Sequence, residues 1–300
     1  MSNITLLDGS IGQELVKRST ALATNLWSTS VMMDQPDLVR GVHADYFSAG
    51  ATIASTNTYA VHRNRLARAG IEDRQAELIT TAVDQAVIAR NAHGSGRIAG
   101  TMGPLLATYR PDLSPDVGLA SEGFAEMITL LGDRVDLLLA EAVCSLQEAE
   151  GIFQGYVASA TDKPLWMAFS VDDQDGTKLR SGEPLFIVTQ MLHHYQPAAV
   201  LLNCSTPEAI TQGLPILTDC GLPFGGYANG FTMITDAFKQ DAPTVDALQA
   251  RTDLTPDTYA DHVMNWVSAG ATIVGGCCEV GPTHIAEIAR RLRAAGHTLV

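Results

Sequence analysis

Two adjacent cysteines, Cys277 and Cys278, close an apolar run directly behind two glycines in the stretch TIVGGCCE. A disulfide between chain neighbours closes a very small, strained ring, so the pair is poorly suited to cross-linking itself. A third cysteine, Cys204, ends another apolar run, AAVLLNC. Three thiolates meeting at one point suit zinc, a borderline-soft ion that favours tetrahedral sulfur and nitrogen ligands. Structural zinc sites close with four protein ligands, whereas three leave a position open to a reactant. Gly275 and Gly276 are expected to give the backbone the freedom to turn both cysteines toward one ion. The competing reading is a set of buried, inert thiols, the role expected for Cys144 and Cys220. Five cysteines at irregular spacing do not form a disulfide framework and fit a reducing compartment.

For these sulfurs to meet, the chain must bring distant segments together. Eight apolar, often β-branched runs recur along it: 4–8, 52–57, 97–103, 136–142, 165–170, 198–204, 223–229 and 271–277. Near-continuous apolar runs of this length match strands covered on both faces. Helical patterns lie between them at 72–91, 118–134, 146–159, 184–195, 207–219, 257–268 and 282–295, and Pro207 and Pro282 suit first-turn positions. The hexapeptide SAGATI occurs at 48–53 and again at 268–273, each time with a glycine between a helix and a strand. The alternation predicts an α/β fold, a (β/α)8 TIM barrel forming a single domain over residues 1–300, with an open doubly wound sheet as the alternative. One long irregular segment, 230–256, carries Phe231, Met233, Ile234 and Phe238 and is expected to act as a lid or as an interface excursion.

Barrel enzymes place their chemistry at the C-terminal ends of the strands. Reactive residues collect at those ends here: Asp8, the group Thr56, Asn57, Thr58 and Tyr59, then Glu141, Asn203 with Cys204, Tyr227 with Asn229, and finally Cys277 with Cys278.

Composition narrows the partners. Lys+Arg 19 against Asp+Glu 33 leaves a formal charge of -14, which repels phosphate backbones and anionic lipid. No nucleic acid and no membrane is therefore expected as a partner. No secretory segment opens the chain and no apolar run reaches the roughly 20 residues of a membrane helix, so a cytoplasmic location is expected. Homo-oligomer formation is compatible with the sequence.

The chain resembles the zinc-dependent homocysteine S-methyltransferases. The motifs that carry the likeness are LLDGSIGQEL at the start, LWS at 26–28, HADYFSAGATIASTNTY at 43–59, GTMGP at 100–104, AEAVCSLQEAE around Glu141, NCSTPE from Asn203, GYANG from Gly226 and GGCCEVGPTHI from Gly275. The ending, with the upstream NCSTP, is the most specific part. The resemblance implies the (β/α)8 barrel, one zinc ion per chain on Cys204, Cys277 and Cys278, and methyl transfer to homocysteine to give methionine. Ser10, Ala140 with Ala142, and Ala228 depart from the residues usual in the family.

A metal-activated thiolate needs no protein acid or base, so no catalytic proton-transfer residue is expected. Asp8 and Glu141 are the acids expected to hold the α-amino group of homocysteine, with N–H groups around Gly9 and Ser10 on its carboxylate. Thr56, Asn203, Tyr227 and Asn229 complete the expected substrate-binding set, Asn203 also fixing the turn that presents Cys204. Trp27, Tyr59 and Tyr227 are candidates for an aromatic wall around a methylated cation. His284 is expected to cap or buttress rather than ligate. The expected donor is S-methylmethionine or S-adenosylmethionine. The alternatives are glycine betaine, dimethylsulfoniopropionate, or a barrel that binds zinc and thiols without catalysis.

Overall fold

The computed structural model describes residues 2–19, 26–235 and 248–300. Each apolar run coincides with a strand to within a residue or overlaps it: β1 (Asn3–Leu6), β2 (Ile53–Ser55), β3 (Arg97–Met102), β4 (Leu137–Val143), β5 (Leu165–Phe169), β6 (Ala199–Asn203), β7 (Phe224–Tyr227) and β8 (Ile273–Val274). They pair in parallel in the order β2-β3-β4-β5-β6-β7-β8-β1. A parallel bridge between Leu7 and Ile53 and the 2.7 Å bond from Thr52 N–H to the Leu6 carbonyl close the ring. The fold is the (β/α)8 barrel that the alternation predicts. A short β9 (Thr298–Leu299), absent from the sequence expectation, pairs outside the ring with Asn3 and Ile4.

The helices are α1 (Ile11–Arg18), α2 (Ser28–Asp34), α3 (Pro36–Ala49), α4 (Arg63–Ala67), α5 (Gln75–His93), α6 (Val117–Leu131), α7 (Leu146–Ser159), α8 (Leu185–Tyr195), α9 (Pro207–Leu217), α10 (Pro256–Ser268) and α11 (Pro282–Ala294). Prolines open α3, α9, α10 and α11, where their missing N–H costs nothing. Thr206 and Thr255 cap α9 and α10 with their side-chain oxygens. Both SAGATI glycines adopt the left-handed backbone, Gly50 at φ 109 and Gly270 at φ 104, which ends the helix and turns the chain into the next strand.

Alternation along the strands divides the core. Leu137, Leu139, Ala199, Leu201 and Ile273 pack inside the ring, while Leu138, Ala140, Val200 and Leu202 face the helices. Burying one Leu or Ile side chain contributes about 1.5–3 kcal/mol, so both layers hold the strand ends firmly in register. Among the described residues no helix is long and apolar enough to cross a membrane. The long segment is anchored at its base, with Thr232 N–H on the Gln249 carbonyl at 2.9 Å and Arg251 N–H on the Gly230 carbonyl at 2.7 Å. The rest of the expected lid, residues 236–247 with Phe238, lies outside the described residues.

Candidate active site

A cavity of about 1070 Å³ opens at the C-terminal ends of the strands. Of the residues expected at the site, Asp8, Gly9, Ser10, Thr56, Glu141, Tyr227, Cys204, Cys277 and Cys278 all line it. Asn203 and Asn229 stand behind its wall, 0% and 1% exposed, and do not touch the space. Their hydrogen bonds among the described residues run to the protein itself, and the Asn229 Nδ2 is buried without a partner there. The Asn203 amide accepts from Ala142 N–H at 3.1 Å and donates to Cys204 Sγ at 3.4 Å. Asn229 Oδ1 accepts from Phe231 N–H at 3.1 Å.

Strand ends deliver the sulfurs. Cys204 follows β6 with φ 52, a left-handed conformation that costs a non-glycine residue roughly 1–2 kcal/mol. Its carbonyl is held at 2.9 Å by Arg180 Nη2, and Arg180 is itself in a buried pair with Asp173 at 2.9 Å. Cys277 N–H bonds the Ala228 carbonyl at 2.9 Å and Gly276 N–H bonds the Asp8 carbonyl at 3.0 Å. The adjoining glycines act differently from the expectation. Neither Gly275 nor Gly276 has a positive φ; they are needed for close approach. A Cβ on Gly275 would meet Leu7 Cβ at 2.6 Å and one on Gly276 would overlap the Val280 side chain. After the pair, Glu279 (φ 67) is gripped from α1 by Gln13 Nε2 and Lys17 Nζ, each at 2.7 Å.

In this structure the Cys204 and Cys277 sulfurs lie directly against each other with Cα atoms 5.8 Å apart, and Cys278 is a free thiol. With two sulfurs so paired, no group of three or more ligating side chains is formed among the described residues. The donor chemistry nevertheless fits a soft divalent ion. Cys204 and Cys277 present two sulfurs beside the third on the wall of one cavity, and Asn203 already donates to one of them. Burial, with Glu279 and Glu141 adding to it, pushes the Cys278 thiol up to about 12, so a thiolate here needs a neighbouring cation. Cys144 is buried, its sulfur 3.1 Å from the Ala142 carbonyl, and Cys220 is buried after α9; neither lines the cavity.

The two acids differ. Glu141 Oε1 accepts from the Tyr227 phenol at 2.9 Å, and Oε2 takes no protein donor among the described residues. Burial raises its carboxyl to about 7, against the lowering effect of the Tyr227 bond. Asp8 is satisfied on both oxygens by Ser55, at 2.6 Å from the backbone N–H and 2.8 Å from the hydroxyl. It straps β1 to β2 at the closing seam, and burial pushes its carboxyl up to about 8. The N–H of Ser10, expected to meet a substrate carboxylate, donates instead to the Val280 carbonyl at 3.0 Å. The turn after Cys278 folds back over α1 and takes that donor.

Trp27, Tyr59 and Tyr227 all line the cavity. His284 caps α11, its Nδ1 3.3 Å from Gly281 N–H and its Nε2 3.1 Å from the Leu254 carbonyl. Several supporting residues escape a sequence reading: Gln13, the Arg180–Asp173 pair, and Tyr259, whose phenol is within 3.1 Å of the Ala228 and Gly275 carbonyls. Asp173 and Arg180 follow the end of β5, the one signal by which a sequence reading could have found that pair. Of the non-glycine residues with positive φ, Ala160 and Gln196 end helices, whereas Trp27, Tyr109, Ala142, Cys204 and Glu279 surround or adjoin the cavity. Backbone strain gathers where function is expected.

Comparison with known proteins agrees with this fold. The homocysteine S-methyltransferase family profile matches residues 5–292. The chain is 31% identical to a homocysteine S-methyltransferase of Escherichia coli (strain K12), covering 96% of this chain and 95% of that protein. It is 28% identical to one of Bacillus subtilis, covering 97% and 95%. The crystal structure of the homocysteine methyltransferase MmuM from Escherichia coli in its metallated form superposes with a TM-score of 0.80 at 30% identity, covering 97% of this chain and 96% of that one. The oxidized form of that enzyme gives the same TM-score at 30% identity. The chain belongs to the homocysteine S-methyltransferase family.

Proposed function

We propose that the protein moves a methyl group from a small cationic donor to the sulfur of homocysteine, giving methionine, at a site built on one zinc ion held by Cys204, Cys277 and Cys278. The observation that carries this reading is the sharing of one cavity by these three cysteines and by Glu141 with its open carboxylate oxygen. When bound, zinc would supply Lewis acidity that lowers the pKa of a substrate thiol, ordinarily near ~8.5, so that it is a thiolate at neutral pH. All groups named come from one chain, residues 1–300, and a reducing cytoplasm is the compartment that keeps them reduced.

The chain's own residues do the rest. Glu141, held by Tyr227, pairs with the substrate ammonium and fixes the direction of its sulfur. Asn203 keeps Cys204 turned toward the cavity. Three cysteine thiolates on one divalent ion would leave this end of the cavity with a net negative charge, to which Glu141 adds when ionised, and such a field favours an onium donor. As the new carbon–sulfur bond forms, the bond from the methyl to the leaving group breaks and its electron pair neutralises the donor's charge. The leaving group departs without a proton, and orientation at close range is the main demand on the protein.

Reduced, zinc-loaded protein incubated with homocysteine and S-methylmethionine, S-adenosylmethionine, glycine betaine or dimethylsulfoniopropionate is expected to yield methionine from a sulfonium donor. Methionine from betaine alone would change the donor. Zinc binding with no methionine from any donor would leave a thiol-binding barrel in place of an enzyme.

A further inference from the structure

Opposite in character to the acidic end, one stretch of the cavity wall is cationic. Arg65 and Arg68, from α4 and the turn after it, both line the space. β2, which leads into α4, lies four places from β6 in either direction round the closed ring, so this wall faces the Cys204 corner across the mouth.

Arg65 is partly buried and its fixed bonds are all to neutral groups. Nε donates to the Pro104 carbonyl at 2.9 Å and Nη2 to Thr108 Oγ1 at 3.2 Å. Its guanidinium lies 5.5 Å from the centroid of the Tyr59 ring, and the Tyr59 phenol shares Thr108 Oγ1 at 3.0 Å. No carboxylate pairs with it among the described residues, and Nη1 takes no protein acceptor. Glu148, whose charge reaches it, is engaged by Ser114 Oγ and Cys144 N–H, each at 2.6 Å. Arg110, which also lines the cavity, is bound bidentately by Asp112 at 2.7 and 2.6 Å. In a chain with fourteen more acids than bases (33 against 19), leaving Arg65 without an acid beside the like charge of Arg68 is costly unless an anion comes from outside. Burial lowers the guanidinium pKa, with Arg68 adding to it and Tyr59 and Glu148 opposing it.

We propose that Arg65 is the specificity-determining residue of the methyl-donor side of the cavity and that it selects donors carrying a carboxylate. The planar fork matches a carboxylate in two-point contact, Tyr59 and Thr108 hold it in orientation, and Arg68 adds charge at the rim. Each candidate donor named above carries a carboxylate beside its methylated onium, and Arg65 is assigned to that carboxylate. The negative end of the cavity takes the onium and the arginine wall takes the acid. This rests on the methyl-transfer reading above.

The test compares S-methylmethionine with its carboxyl methyl ester, in wild type, Arg65→Gln and Arg65→Lys. Turnover with homocysteine gives KM for donor and acceptor, and calorimetry without the acceptor reads donor binding alone. In wild type the acid is expected to bind about 10- to 100-fold better than the ester. Arg65→Gln should collapse that ratio to within about 2-fold while leaving the homocysteine KM unchanged, and Arg65→Lys should restore part of it. Equal losses for acid and ester, no loss for either, no binding of the acid to wild type, or a loss confined to homocysteine would each overturn the assignment. If wild type binds the acid through Arg65 but produces no methionine, the carboxylate subsite stands and the methyl-transfer reading falls.

Discussion

The phenol of Tyr227 donates to Glu141 Oε1 at 2.9 Å, joining the end of β7 to the end of β4 across the barrel mouth. The bond leaves one carboxylate oxygen for a ligand and fixes where it points. Glu141→Ala is therefore expected to weaken homocysteine binding by about 10- to 100-fold, the worth of a charge-assisted contact. Tyr227→Phe removes only the brace and should cost less than about 10-fold. Because the carboxyl titrates at about 7 and only its ionised form attracts an ammonium, affinity should fall as the pH drops below that value. Calorimetry of both variants at pH 6 and pH 8 checks this, with zinc content constant throughout.

The cysteine positions predict a divided mutational pattern. Cys204→Ala, Cys277→Ala and Cys278→Ala should each lose tightly bound zinc, whereas Cys144→Ala and Cys220→Ala should keep it, since those sulfurs do not line the cavity. Metal analysis of reduced, dialysed protein reads the outcome. Full zinc in Cys278→Ala would remove the three-sulfur site. Chelated protein should remain folded, because the barrel core is independent of an open metal position.

Arg180 and Asp173 are each 7% exposed at the side chain and pair at 2.9 Å. Arg180 also reaches Ser170 Oγ at 2.8 Å and stacks 4.6 Å from the Tyr109 centroid. Asp173 accepts from Thr206 N–H at 3.1 Å and Ile234 N–H at 2.9 Å. Removing one partner strands the other's charge in the interior, so Arg180→Met should destabilise the protein by about 3–5 kcal/mol. Urea unfolding measures this. Asp173→Asn, which keeps the bonds of one oxygen but turns an amide NH₂ toward N–H donors and leaves the Arg180 charge unpaired, should cost a similar amount and lower zinc affinity through the slackened Cys204 carbonyl.

Asp8 makes stability depend on pH in a direction opposite to that of a salt-bridged acid. Its carboxyl is raised from 3.8 to about 8 by burial, so across this range the folded state binds more protons than the unfolded one. Stability supplied by Asp8 is complete below pH 3.8 and declines as the pH rises toward 8, with a slope of up to about 1.4 kcal/mol per unit. Asp8→Asn lacks this slope. Unfolding of both proteins at pH 5 and pH 8 should show the variant gaining on wild type at the higher pH; parallel profiles would mean that Asp8 is ionised in the fold.

The sequence determined the parts whose cause is local. Apolar runs of strand length, helices opened by Pro207 and Pro282, and the glycines of SAGATI each act over a few residues, so the eight strands and the helices from α5 onward could be read directly, whereas α1, α2 and α4 were not among the expected helical patterns. The strand-end register brought Asp8, Glu141, Tyr227 and the cysteines to one mouth, and all line the same cavity. Long-range bonds were invisible. Whether Asp8 faces a ligand or a neighbour depends on Ser55, 47 residues away. Ser10 N–H is used up by Val280, and Asn203 and Asn229 turn behind the wall, because partners from other strands compete for the same donors and acceptors. The glycines before the cysteine pair serve clearance against Leu7 and Val280, a demand that exists only once β1 and β8 lie side by side. Nothing in the sequence singles out Arg65. Only the closed ring shows it at the wall of the cavity without an acid beside it, since the cost of an unpaired charge depends on everything that surrounds it in three dimensions.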